Sequence, residues 1–456
     1  MSNTPSRFSR SGRKAEYGML FVLLILVLGF SALTVKDIQN SGAAAGEELA
    51  AQIDALDSKV SVAIVTPNSA IGVQLADALV EVLNASGHQL AGKVHGSPPE
   101  VGEKLREWEQ ASAHIDVIAC PNSVASWAPV RDVNTRYPKL GGRCRVMTPE
   151  SYKWPTFLKK DNVLNIAQQI SIIAIIAIGM TLVIITAGID LSVGSLIGLA
   201  AVTSTVLIRD VAGGRDADWT GMLLCGLAGV IVCGGVGALS GVCVAAFRLP
   251  AFLVTLAMML MARGLALTIT DSESINEVPA GFGWLGSGRT FAIPNSVILM
   301  FLLYALAHFV MSRTRLGRHI YAIGGNEEAA RLAGVPVQRV LLIVYTVCGL
   351  LAGLGGVIMA SKHTGVEPNF GFMAELTVIA AVVVGGTSLM GGQGRVLGTL
   401  VGAFIIAVIR NGMNQIEVPP NPQMIVMGAV ILGAVLTDQF RKGRVAWRDF
   451  TSLFQR

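Results

Sequence analysis

The chain has 456 residues, 52% of them hydrophobic and only 14% charged, with a mean hydropathy of +0.59. A soluble domain carries about 25% charged residues, so the composition excludes a disordered chain and argues against an ordinary soluble enzyme. The net charge of +5 includes no Lys/Arg run interleaved with aromatics, so nucleic-acid binding has no footprint.

Residues 1–16 are basic at Arg7, Arg10, Arg13 and Lys14, and precede an apolar run at 17–33. That run is longer than the about 7–15 residues of a signal-peptide core, and no A-x-A site follows it. It is expected to be an uncleaved first transmembrane helix with a cytoplasmic N-terminus.

A polar stretch, 34–161, comes next, with a small α/β module expected at about 46–150. Strands are predicted at 60–65, 115–119 and 143–147, with a helix at 71–83. Two Pro-Asn-Ser turns, at 67–69 and 121–123, suggest a repeated strand–turn–helix unit and a parallel sheet. The run 87–94, GHQLAGKV, resembles a P-loop, but it lacks the final Ser or Thr and follows a helix, so it is rejected. Cys225, Cys233, Cys243 and Cys348 lie in apolar runs and read as core residues. Cys120 and Cys144 lie on successive predicted strands of the module and are expected to form a disulfide in an oxidising external compartment.

Nine further apolar segments follow, at 163–187, 193–208, 220–246, 250–270, 292–312, 338–360, 375–390, 396–413 and 423–439. A span takes about 20 residues. The fold class expected is therefore an all-α polytopic membrane bundle of about ten helices, its core at 162–440, with an α/β periplasmic insert between the first two spans. Arg313, Arg315, Arg318, Arg331 and Arg339 make the loop 313–339 basic, as Arg441, Lys442, Arg444, Arg448 and Arg456 do the tail 441–456. Both are expected in the cytoplasm by the positive-inside bias.

Three polar features interrupt the apolar core. In the first, Gly188, Asp190, Ser192, Gly194 and Ser195 break a span; Asp190 and Ser192 read first as caps of the next helix and second as part of a translocation path. The second is 385–394, with Gly386, Thr387 and Ser388, expected on the same side as the first. In the third, Asn326 caps a short cytoplasmic helix, Glu327, Glu328, Ala329, Ala330, Arg331 and Leu332, closed by Gly334. This helix suits a groove on a partner. Arg263 is the lone charge of its span, with Gln168 and Gln169 as expected carbonyl partners and lipid snorkelling as the rival. The small-xxx-small pairs Gly237/Gly241, Gly349/Gly353 and Gly398/Gly402 read as helix-packing faces.

The runs 179–195 (GMTLVIITAGIDLSVGS), 314–318 (TRLGR), 322–334 (AIGGNEEAARLAG) and 384–395 (VGGTSLMGGQGR) carry a resemblance. The chain resembles the membrane permease subunits of bacterial ABC monosaccharide importers, of the ribose permease type. The resemblance covers 161–440 well and 1–33 loosely, and the insert departs from it. It implies an inner-membrane permease that is not an enzyme. It implies that 326–334 is a coupling helix docking on a separate ABC ATPase subunit, which binds ATP and Mg, while this chain binds no cofactor and no metal. A periplasmic sugar-binding protein, a second permease copy or homologue, and membrane lipid are the other implied partners. The insert looks like one lobe of such a binding protein; a docking or accessory role is expected ahead of sugar capture. The rival classes are an ion-coupled carrier, a membrane sensor with the insert as receptor, and a membrane enzyme. They would need further intramembrane acids, an output domain or a catalytic cluster, respectively.

Overall fold

The computed structural model describes residues 7–56, 58–140, 143–367 and 369–441. The basic tail beyond Arg441 lies outside the described residues. The chain forms two compact units, one of which is Val35–Pro155. The other takes α1 (Arg7–Leu33) and everything after residue 155.

The smaller unit begins and ends in an antiparallel ribbon, β1 (Val35–Gln39) with β6 (Ser151–Pro155), in which Val35 pairs with Pro155. Between them run α2 (Ala43–Asp54), β2 (Ser61–Thr66), α3 (Ala70–Ser86), β3 (Gln89–His95), α4 (Pro98–Gln110) and β4 (Val117–Ala119). Three one-turn helices, α5 (Asn122–Ala125), α6 (Ala128–Arg131) and α7 (Val133–Arg136), lead to β5 (Arg145–Met147). The sheet is parallel, in the order β3-β2-β4-β5.

Every residue of β2 is buried, and alternation sends its side chains to two separate cores. Val62 and Ile64 meet Leu49, Ile53, Leu75, Leu79 and Leu83 from α2 and α3. Ala63 and Val65 meet Val101, Leu105 and Trp108 from α4. Each large side chain so buried contributes about 1.5–3 kcal/mol. The GHQLAGKV run is the C-cap of α3, at left-handed Gly87, followed by β3.

Cys120 and Cys144 are buried free thiols, which corrects the expected disulfide. The register explains this. Val117 pairs with Arg145, so Cys144 lies level with Asp116, four residues back along the strand direction from Cys120. Four residues of strand is about 13 Å, whereas a disulfide needs Cα atoms within about 4.4–6.8 Å. Burial pushes each thiol up to about 12. Denaturation without reductant should expose two alkylatable thiols in the insert; a resistant pair in peptide mapping would contradict this register.

The larger unit is helical apart from a two-residue antiparallel ribbon, Arg289–Thr290 with Ile293–Pro294, and a single bridge between Ile275 and Val366. After α1 come α8 (Lys160–Ile185), α9 (Val193–Asp210), α10 (Trp219–Ala245), α11 (Ala251–Ile269) and α12 (Asn295–Arg313). Two helices that are not candidate spans follow, α13 (Arg315–Gly325) and α14 (Glu327–Leu332). The rest are α15 (Val337–His363), α16 (Ala374–Val384), α17 (Val396–Gln415) and α18 (Pro420–Arg441). Among the described residues, eight helices are long and apolar enough to cross a membrane, and α1 and α16 supply two shorter apolar segments. The chain is a multi-pass membrane protein. At 11 residues, α16 is about 16 Å long, half of the about 30 Å hydrocarbon layer.

Of the candidate spans among the described residues, α8 is the most enclosed. Tyr304 of α12 donates to its Ala174 carbonyl at 2.9 Å, and its Thr181 shares a 2.8 Å hydroxyl contact with Thr399 of α17. Helices α10 and α15 meet through Gly237 and Gly349, where a side chain on either would strike the other helix's backbone. This is the small-residue packing of membrane helices. Gly349→Ile should abolish the monodisperse detergent-solubilised protein. Gly235→Ile, on α10 where a Cβ would meet nothing within 4 Å, should preserve it; equal yields would discount this contact.

Candidate functional site

The first polar break starts where α8 stops. The Gly188 N–H reaches back to the Val183 carbonyl at 3.0 Å, and Ala187 takes a left-handed φ of 64°. Asp190 is fully buried. Its Oδ1 accepts from the Ser192 N–H at 2.9 Å and the Ser192 hydroxyl at 2.6 Å. Ser192 precedes α9 but donates to Asp190 and makes no side-chain cap, which corrects the capping expectation for it. The short polar side chain finds a nearer acceptor two residues back. Asp190 Oδ2 makes no hydrogen bond among the described residues, nor does the buried Tyr345 hydroxyl, which lies against Gly188. Tyr345 and Cys348 of α15 lie beside the carboxylate. Gly194 and Ser195 are buried in the first turn of α9.

The second break, after α16, is a tight loop with Gly386, Gly391 and Gly392 at positive φ. The Ser388 N–H closes it onto the Gln393 carbonyl at 2.9 Å, and Thr387 Oγ1 is buried without a hydrogen bond. The Gly392 N–H donates to the Ile185 carbonyl at the end of α8, at 2.8 Å. Gly391 packs on Ala187. The two breaks are therefore in direct contact.

The third feature joins them. Gly324, in the last turn of α13, lies so close to the Ile185 carbonyl and the Gly392 amide that a Cβ there would overlap both. Tyr321, one turn earlier, donates to the Gly394 carbonyl at 2.8 Å. Asn326 then caps α14, its side chain accepting from the Ala329 N–H at 2.9 Å. Arg331 pairs with Glu327 at 2.7 Å and reaches Glu328 at 4.0 Å. Leu332 is 83% exposed, whereas Ala330 is turned into the core at 5%. Gly334 ends the helix at φ 82°.

Arg263 is partly buried in α11 and donates to the Phe370 carbonyl at 3.0 Å. Phe370 belongs to the irregular connection between α15 and α16, whose Gly371 and Met373 have positive φ. Glu375, in the first turn of α16, is close enough for its charge to act on Arg263, and it lies against Gly194. Gln168 was an expected partner, but its amide donates to the Gly286 carbonyl at 2.7 Å; Gln169 is exposed. Arg263 reaches unwound backbone because carbonyls with no helical partner are the strongest acceptors available inside a bundle.

Glu375, Tyr345 and Tyr321 are absent from the residues predicted by sequence. Glu375 carries the same signal as Arg263, a charge in an apolar span. The two tyrosines carry none, since a lone Tyr in a helix reads as core.

Residues 162–435 match the profile of the branched-chain amino acid transport system permease component family. The chain belongs to this family. The matched region holds both breaks, Arg263, Glu375 and α13–α14, and leaves out the insert. Among curated relatives, the ribose import permease protein RbsC of Escherichia coli K12 is 45% identical over 62% of this chain and 87% of its own length. RbsC of Bacillus subtilis 168 is 40% identical over 62% and 87%. The xylose transport system permease protein XylH of E. coli K12 is 35% identical over 64% and 89%. No solved structure matches. As a family member the chain is a transporter permease subunit, not an enzyme. Among the described residues no three His, Cys, Asp or Glu side chains gather in a metal-holding group.

Losing the Arg263 hydrogen bond to the Phe370 carbonyl should cost about 1–2 kcal/mol, discounted for partial exposure. Arg263→Lys should lower the detergent unfolding midpoint and reduce transport several-fold. An unchanged midpoint together with normal uptake would remove Arg263 as the anchor of the α15–α16 connection.

Proposed function

We propose that this chain forms the membrane path of an ATP-driven importer that takes up a monosaccharide. The ribose and xylose named for its relatives support a pentose or similar sugar as cargo. In this reading the chain lies in a bacterial inner membrane with both termini in the cytoplasm and the insert outside. It binds no cofactor; ATP and Mg belong to a separate ABC ATPase subunit. A second permease copy or homologue completes the path, and a periplasmic binding protein delivers the sugar. The insert serves as an accessory docking domain for that delivery.

One observation carries the proposal. Gly324, at the root of the helix proposed to couple to the ATPase, rests on the Ile185 carbonyl and the Gly392 amide, where the two helix breaks meet. An ATPase that moves α14 moves α13 with it, and so acts on both breaks at once. Asp190 and Thr387, which bear buried polar atoms without hydrogen bonds, are the side chains in those breaks best placed to change partners during transport. Arg263 and Glu375 hold the adjoining half-length helix.

Glu328→Arg would place two cations beside each other on α14. It should reduce substrate-stimulated ATP hydrolysis and uptake by about tenfold, while the soluble receptor still binds sugar normally. Cysteines at Ala329 or Leu332, both exposed, should cross-link to the co-expressed ATPase, and a cysteine at the buried Ala330 should not. Cross-linking through other loops but never through 329 or 332 would refute the coupling role.

A further inference from the structure

A groove of about 810 Å³ opens beside α14, lined by the end of α10, the α10–α11 turn, α14 and the start of α15. Three guanidinium groups line it, those of Arg248, Arg331 and Arg339, against the single carboxylate of Glu327. Glu327 is already engaged by Arg331 at 2.7 Å. Arg248 and Arg339 make no ion pair or side-chain hydrogen bond among the described residues. The groove therefore presents two uncompensated positive charges. Arg248 is also held at φ 54°, a left-handed conformation that disfavours a side chain.

The level of the groove in the membrane follows from helix length. Helices α10 and α15 have 27 residues each, about 40 Å, against a hydrocarbon layer of about 30 Å. Their ends, Ala245 and Val337, therefore stand in the headgroup layer. Flanking Arg248 in the chain, Phe247 and Phe252 are 69% and 51% exposed. Cations at headgroup level with exposed apolar side chains next to them match an anionic head joined to acyl chains. An acidic protein segment would satisfy the arginines but leave the two phenylalanines uncovered.

We propose that this groove is a binding site for an anionic phospholipid, with the phosphodiester between Arg248 and Arg339 and the acyl chains over Phe247 and Phe252. The lipid would sit against α14 and so tie the coupling element to the composition of the membrane. The proposal depends on the membrane placement of these helices and not on which solute is carried or which ATPase binds.

The test uses native mass spectrometry of the purified full chain in detergent, with phosphatidylglycerol or phosphatidylcholine of identical chains. The wild type should retain phosphatidylglycerol preferentially. Arg248→Gln with Arg339→Gln should cut that preference on the order of thirtyfold, since each cation near the surface is worth about fivefold. Arg248→Lys with Arg339→Lys should keep most of it. If the double Gln variant yields no folded protein, Arg339→Gln alone should lose about fivefold. An undiminished preference in the Gln variants overturns the site. So does inorganic phosphate displacing the lipid as effectively as phosphatidylglycerol does, or a Gln variant that keeps its lipid but no longer co-purifies with the ATPase.

Discussion

Backbone that leaves a helix inside a membrane bundle has no water to satisfy it, and this constraint organises the protein. Both breaks meet it by using each other. The last carbonyl of α8, on Ile185, takes the Gly392 amide of the second loop, and Gly324 closes over the pair. Only a residue without a side chain fits at 324. The end of α13, the end of α8 and the loop after α16 thus form one rigid joint, and none of the three can shift alone without leaving a buried polar group unpaired.

The connection into α16 meets the same constraint by other means. An arginine supplies the missing donor to Phe370, and a nearby glutamate balances its charge. Such a charge-assisted contact is worth about 1.5–3 kcal/mol when enclosed. The exposed Arg131–Asp132 pair of the insert, although well formed at 2.9 Å, is screened by solvent and contributes little. Geometry alone would rank the two as equals; their surroundings separate them.

The ten apolar segments were legible because each carries its own hydropathy signal, and most of the helices end within a few residues of the predicted runs, although α1 begins at Arg7, well before its run. The predicted span 375–390 was too long: α16 stops at Val384, where the paired glycines begin. The motif residues 186–195, 385–394 and 324–334 were legible as interruptions, but their meeting point was not, since contact between distant glycines leaves no local trace. Strand β3 was missed because its pattern is half-exposed and irregular. The ribbon of β1 and β6 was missed because its strands pair across more than a hundred residues. The Cys120–Cys144 error has the same origin: neighbouring strands were inferred correctly, but their register, which decides the distance, is invisible in sequence.

The membrane unit closes its own side of the insertion. The Thr156 N–H donates to the Thr34 carbonyl at 3.0 Å, and the Phe157 N–H donates to the Thr34 hydroxyl at 3.2 Å. The insert closes its side with Val35 opposite Pro155. To the bundle, some 120 residues of extra chain behave as a turn of almost no length. The entropy of joining α1 to α8 is therefore set by that pinch and hardly by what hangs from it. Such an attachment point tolerates wholesale exchange of its cargo: a lineage can acquire, trim or replace a domain here while the helices beneath keep their packing unchanged.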